Sequence, residues 1–325
     1  VRPPPSIPDD TADPSADDTD TGFGIARTRF GFMGHVIDPS WQYMLWTGFD
    51  CKGDAVVLDA YVRKAFDEHL SVTMGQFKLP YLYEYLVSET RLQFVERSLV
   101  AGEFCGTYTQ GVMVTWQTDG MRLHGPVHDG LSAINTQYNL DSTDFALTGR
   151  AEIKLFGEWS QYLDWESRPD EEPMLVIGAA IHYQQGEHGT ATPESEILRW
   201  TVDGPWELGG GNLFAAVVGS HDDEAHESDA YAVVVQGGIF VCDHAELIAR
   251  YEWADGVAEG EQDLSVITVG VNWFLHGHAL KISTDVGYGF NGVGPSYSST
   301  PLGWREDEPD GDGQVVVRSQ AQLQF

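Results

Sequence analysis

The stretch FALTGRAEIKL, Phe145–Leu155, decides which side of the sheet is wet. Counted by twos, Phe145, Leu147, Gly149, Ala151, Ile153 and Leu155 share one face, and Thr148, Arg150, Glu152 and Lys154 share the other. This is the side-chain alternation of a β-strand. HAELIARYEWA from His244 and HALKISTDVGY from His278 repeat it, with Glu246, Arg250 and Glu252, then Lys281, Ser283 and Asp285, on the polar face. The last stretch, QVVVRSQAQLQF, Gln314–Phe325, alternates in the same way. Charged pairs on the hidden face of a soluble sandwich would be expensive to bury. On the wall of a water-filled channel they cost little. The pattern therefore favours an inside-out sheet, apolar towards lipid and polar within.

Outward from these stretches, strand-length segments fall at 23–37, 41–49, 55–66, 69–78, 109–118, 130–139, 145–157, 173–184, 196–203, 212–220, 230–241, 244–254, 263–274, 278–289 and 314–325. Some connections are tight, as at 38–40, 67–69, 242–243 and 276–278. Others are long and acidic, as at 185–195, 221–229, 255–262 and 290–313. Short turns on one side and longer loops on the other are the habit of outer-membrane barrels. Trp41, Tyr43, Trp253, Trp273, Phe274, Tyr288, Phe290 and Phe325 lie near strand ends, where a lipid-interface girdle is expected. The expected fold class is all-β: a transmembrane antiparallel β-barrel of about 16 strands, fifteen of them in this chain. Residues 1–22 read as an acidic Pro/Asp-rich loop or tail, and residues 23–325 as the barrel.

Composition agrees. The chain has 325 residues with 36 glycines and 12% aromatics, a balance suited to many strands and turns. No apolar run approaches the roughly 18 residues that a spanning helix needs. The formal net charge is −32, which argues against nucleic-acid binding, since that relies on Lys and Arg. The three cysteines, Cys51, Cys105 and Cys242, form no CxxC pair, so zinc and thioredoxin-like readings fail. No histidine spacing suggests a metal site, and no cofactor is implied. Ser220, Asp222, Asp223 and His226 are the nearest approach to a catalytic set, but loops rich in Ser, Asp and His arise easily by composition; no enzyme activity is expected.

Residues 79–108 are too long for a casual connection and are partly helical in pattern. A loop of this kind can fold into a barrel and narrow it. MGQFKLPYLYEYLVSETRLQFVERSL, Met74–Leu99, resembles the Gly-x-Phe-Lys-x-Pro…Glu…Phe-x-Glu-Arg-Ser segment of the phosphate-selective porin O/P family. VITVGVNWFLHGHALKISTDVGY, Val266–Tyr288, is similar to that family's Gly-x-Asn-Trp-Tyr hairpin, and RTRFGFMGHV from Arg27 and AELIARYEWAD from Ala245 fit as well. The resemblance implies a 16-stranded barrel in the bacterial outer membrane, usually a homotrimer, with an inward loop as its constriction and inward bases that draw anions through. Carried onto this sequence, the lysine of QFK is Lys78, the loop carboxylate is Glu84, and the loop arginines are Arg91 and Arg97. The inward strand faces add Arg27, Arg29, Arg63, Arg150, Lys154, Arg250, Lys281 and Arg318. Eleven of the 18 bases are thus expected at the pore wall or constriction, while acids crowd the loops. Each such base either guides solute or joins a lumenal salt-bridge network. Only five lysines occur, and acids lie two residues from several inward bases, so a mixed-charge wall is expected to hold phosphate weakly.

The expected function is an outer-membrane porin for passive diffusion of small hydrophilic solutes or ions, anions being one candidate class, and the sequence leaves the choice between anions and cations open. The alternative is a structural or surface-assembly barrel whose acidic loops bind divalent cations or partner chains. Expected partners are outer-membrane lipid, small hydrophilic solutes and further copies of the chain. The terminal Phe325 resembles the aromatic signal read by the insertion machinery. An even strand count and the loop order also predict a sixteenth strand before Val1, with three alternatives: a further strand around Met121–Val127, an odd count, or closure by another chain; direct pairing of Gly24–Val36 with Val315–Phe325 would refute the missing strand.

Overall fold

The computed structural model describes residues 21–49, 53–137, 143–187, 194–223, 228–257, 261–298, 303–307 and 313–325. Fifteen strands follow in chain order: β1 Thr28–His35, β2 Trp41–Phe49, β3 Ala55–Ala65, β4 Leu70–Lys78, β5 Tyr108–Gln117, β6 Met121–His128, β7 Thr143–Phe156 and β8 Met174–Glu187, then β9 Glu194–Glu207, β10 Gly211–Asp222, β11 Ser228–Cys242, β12 Ala245–Ala254, β13 Leu264–His276, β14 Leu280–Gly289 and β15 Val315–Leu323. Each pairs antiparallel with its neighbours in sequence, so the sheet is one continuous meander. β1 pairs only with β2 and β15 only with β14; among the described residues no pairing joins β1 to β15.

One expected strand is misplaced. Residues 130–137 of the expected strand 130–139 form no strand, and 138–139 lie outside the described residues; the sixth strand is Met121–His128. Its reading is blurred by Gly125 and Pro126. Pro126 has no N–H to donate, and the ladder with β7 runs from His124↔Arg150 to Val127↔Leu147 with no partners between. The apolar residues that suggested a strand, Leu131 and Ala133, are instead buried in the β6–β7 connection.

The two faces of the sheet differ as the alternation requires. Ile153, Ile181, Val202, Val217, Val269, Val286 and Val317 are exposed to the outside. Thr148, Arg150, His182, Asp203, Gln236, Arg250, Thr268 and Asp285 are buried on the inside. A polar, buried interior with an apolar, exposed exterior reverses a soluble protein and is the signature of a strand-built membrane span. None of the helices is long and apolar enough to cross a membrane, which says nothing of strands. Trp273, Tyr288, Phe290 and Phe325 are exposed near strand ends, as a girdle requires. Phe274 departs from that expectation: it is buried inside and stacks on Phe240, with ring centroids 5.6 Å apart. A register shift between Phe274 and His276 accompanies it at the end of β13.

Candidate functional site

The long connection from β4 to β5 turns into the lumen. It carries two short helices, α1 Tyr83–Leu86 and α2 Leu99–Phe104, with a 3-10 turn at Glu89–Arg91 between them. Ser98 caps α2, its Oγ accepting from Ala101 N at 3.0 Å. Leu79, Leu82, Val87, Val100 and Phe104 are buried.

A loop inside a barrel must find partners for its backbone, because buried N–H and C=O groups are costly when left alone. The wall supplies them from far along the chain. Asp203 of β9 accepts from Tyr83 N at 3.1 Å, Glu252 of β12 from Leu99 N at 2.6 Å, and Asp285 of β14 from Val95 N at 3.0 Å. Asn272 of β13 donates to Gln93 O at 2.8 Å, and Lys281 of β14 to Leu92 O at 2.6 Å. Arg250 donates to Glu96 O at 3.0 Å, lies 2.8 Å from Glu252 and stacks over the Phe94 ring at 4.4 Å. The loop therefore lies against the β9–β14 side of the lumen.

Its other flank meets the start of the sheet. Glu89 is surrounded by cations: Arg97 at 3.0 Å, Lys78 at 3.5 Å, and Arg29 of β1. Burial alone would raise the Glu89 carboxyl, but Arg97, Lys78 and Arg29 outweigh it and hold the group well below the usual range. Lys78 also donates to Tyr85 O and Val87 O, at 3.1 and 3.2 Å. Arg27 pairs with Glu96. Gln322 of β15 donates to Thr90 O at 2.7 Å. The loop tip thus touches the first strand, the last strand and the far wall together.

The sequence-selected residues fall into distinct groups. Arg27, Arg29, Lys78 and Arg97 converge on the loop carboxylates. Glu84 accepts from Ser98 N and Oγ at 2.7 and 2.6 Å and lies 3.8 Å from Arg250, so it braces the loop internally. Arg150, Arg250 and Lys281 are buried anchors. Arg150 binds Asp203 with two nitrogens at 2.8 Å each, Glu152 at 2.7 Å, Tyr81 O at 2.7 Å and Tyr162 Oη at 3.0 Å. Arg318 pairs with Asp285 at 2.7 Å and Arg91 with Asp164 at 2.8 Å. Lys154 reaches Asp119 at 3.3 Å, in the tight β5–β6 turn. Arg63 donates to Ser71 Oγ at 3.1 Å and makes no ion pair among the described residues. Phe325 follows β15 and is fully exposed.

Two functional residues were not singled out by sequence. Glu89 lies in an aperiodic loop, where spacing does not reveal which strand a side chain will meet. Arg122 lies on the misplaced sixth strand. It has no ion pair among the described residues, its guanidinium sits 3.9 Å from the centre of the Trp159 ring, and its Nε is buried without a hydrogen-bond partner. Placing Met121–His128 as a strand would have found it by alternation with Leu123 and Val127. Of the residues weighed as a catalytic set, His226 lies outside the described residues, and Ser220 Oγ accepts from Arg199 Nε at 3.1 Å.

Comparison with known proteins places this architecture. OmpT of Vibrio cholerae superposes with a TM-score of 0.57 at 14% identity, over 94% of this chain and 92% of that one. Salmonella typhi OmpF, solved with daunomycin, gives 0.61 at 11% identity, over 94% and 93%. An anion-selective porin from Comamonas acidovorans gives 0.54 at 11% identity, over 83% and 81%. At these identities the likeness is one of fold. No curated protein sequence matches the chain. Residues 9–168 match the family model "Phosphate-selective porin O and P", a span that includes β1 to β7 and the whole inward loop. A strand-built span with a wet interior and a loop folded across it, together with this match, defines a porin of the bacterial outer membrane. Over residues 9–168 the chain is similar to the phosphate-selective porins O and P.

Proposed function

We propose that small hydrophilic solutes pass between the inward loop and the wall formed by β1–β6, with anions favoured over cations. The observation that carries this is the contrast between two sets of bases. Arg150, Arg250 and Lys281, behind the loop, are buried and engaged by carboxylates or carbonyls. Arg63 and Arg122, on the opposite wall, make no ion pair with a carboxylate among the described residues. Glu152 stands across from Arg122 in the β6–β7 ladder without an ion pair between them, so Arg63 carries most of the contrast; guanidinium groups beside water that make no ion pair raise the local anion concentration and oppose cations. Arg27, Arg29, Lys78 and Arg97 face the same side but are offset by Glu89 and Glu96. This mixed lining supports weak anion preference and not tight phosphate retention. Measured in planar bilayers under a salt gradient, Arg63→Ala with Arg122→Ala should move the reversal potential towards cations. No movement would remove these arginines from the selectivity assignment.

A trimer is the assembly we favour. A structural neighbour, in vitro folded OmpT of Vibrio cholerae, is described in trimer form, at 15% identity. In this chain Gln76, Gln110, Asn135 and Thr136 line an open groove of about 570 Å³ together with Met74 and Val112. Polar groups beside an otherwise apolar outer face suit contact with a second copy better than contact with lipid. Cysteine cross-linking through Gln110→Cys should yield covalent multimers; monomers alone would refute this contact.

A further inference from the structure

The strand-pairing register shows that one connection is far longer than its geometry needs. Phe156 at the end of β7 pairs directly with Leu175 at the start of β8. A hairpin turn of about two to five residues joins such ends. Here residues 157–173 intervene, at the same end of the barrel as the tight turns 118–120 and 277–279. This is the end opposite the inward loop, and short turns mark the periplasmic side.

The inserted segment crosses the mouth and enters the lumen. Trp159 donates to Asp119 O at 2.7 Å, Gly210 N donates to Ser167 O at 3.1 Å, and Arg168 donates to Asp243 O at 3.0 Å. Glu166 lies 2.8 Å from His278. One strap therefore touches four separate turns. Inside, it meets the constriction loop from below: Tyr83 Oη donates to Asp164 O at 2.7 Å, and the Trp165 ring stands edge-on to Tyr83 and Phe214 at 4.8 and 4.9 Å. Between the strap, the loop and the β12–β14 wall there is a cavity of about 10 Å³. That is about the space of one water molecule, too small for a hydrated ion.

We propose that residues 157–173 form a second, periplasmic plug. With the constriction loop it seals the β8–β14 side of the lumen and confines solutes to an exit beside Arg122, which Trp159 of the strap holds in place. The strap is a selectivity element as well as a block. Behind it lie Glu207 and Glu246, which accept hydrogen bonds from amides: Gln161 Nε2 donates to Glu207 at 2.9 Å, and Gln93 and Asn272 donate to Glu246 at 2.7 and 2.9 Å. Opening that half would put carboxylates on the path.

This inference rests on the porin reading, and the test separates the two. The full chain is compared with a variant in which residues 158–173 are replaced by Asn-Gly. Folding is checked by heat-modifiable migration, and conductance and reversal potential are read in planar bilayers. The variant should conduct about twice as much or more, and its reversal potential should move towards cations. A folded variant with unchanged conductance and selectivity overturns the plug. If the replacement does not fold, Trp165→Ala with Asp164→Asn is measured; it should raise conductance in the same direction, and an unchanged value again overturns the proposal. A full chain that conducts nothing would defeat the porin reading itself.

Discussion

Glu89→Gln is the most informative single substitution in the constriction. The carboxylate faces Arg97 at 3.0 Å and Lys78 at 3.5 Å, with Arg29 paired beside it. The amide keeps the shape and one acceptor but removes one negative charge from among three positive ones. Loop anchors to Asp203, Glu252 and Asp285 are untouched, so the loop should stay in place. For a monovalent ion passing at about 6 Å in water, one unit charge is worth about 0.7 kcal/mol. An anion gains this and a cation loses it, so the anion-to-cation permeability ratio rises about tenfold before screening. With a Debye length of about 10 Å in 0.1 M salt, about threefold remains. The assay is the reversal potential across a bilayer in a KCl gradient, with the natural chain alongside. No change, or a shift towards cations, would show that solutes do not pass this cluster and would refute the placement of the path.

Arg150→Met removes the cation shared by Asp203 and Glu152 and leaves buried carboxylates unpaired, which should cost about 3–5 kcal/mol and lower the temperature of the folded-to-unfolded gel shift; an unshifted transition would count against a structural role. Acid should release the strap only late. Burial raises the Glu166 carboxyl, but the His278 hydrogen bond and the charges of His278 and Arg168 prevail and hold it below the usual value. A depressed carboxylate contributes stability above its unfolded pKa, about 4.3, and loses it as pH falls through the folded value. Conductance should therefore be level from pH 7 to about 5 and rise only in stronger acid; a rise near neutrality would contradict this pairing. Deleting Phe325, which is fully exposed beyond β15, should lower the yield of inserted barrel while leaving single-channel conductance unchanged; normal insertion with altered conductance would overturn its assembly role.

Most of the strand order is legible in sequence because a membrane barrel writes its two faces as strict alternation. Phe145 to Leu155 and Ala245 to Trp253 place their charges inside as read. The sixth strand is legible only as an alternative around Met121–Val127, because Gly125 and Pro126 interrupt its pattern and because the apolar Leu131 and Ala133 that follow are buried by folding inward, not by pairing. The inward loop is legible from its length and from its likeness to a known family. Its partners are not, since Tyr83 with Asp203 and Val95 with Asp285 are set by the curvature of the sheet around the loop. The strap at 157–173 carries no periodic signal at all. Its role is visible only once Phe156 is seen to pair with Leu175. For the same reason sequence could collect the inward bases but not separate buried anchors such as Arg150 from bases such as Arg63 that make no ion pair among the described residues.

This chain is proposed to form a water-filled channel whose open side is lined by arginines, Arg63 and Arg122, that make no ion pair among the described residues. The reversal potential of the purified full chain in planar bilayers, under a KCl gradient at neutral pH, tests it most directly. Discrete conductance steps with a reversal potential displaced towards the chloride equilibrium value are predicted. An absence of steps, or a displacement towards the potassium value, would contradict the account.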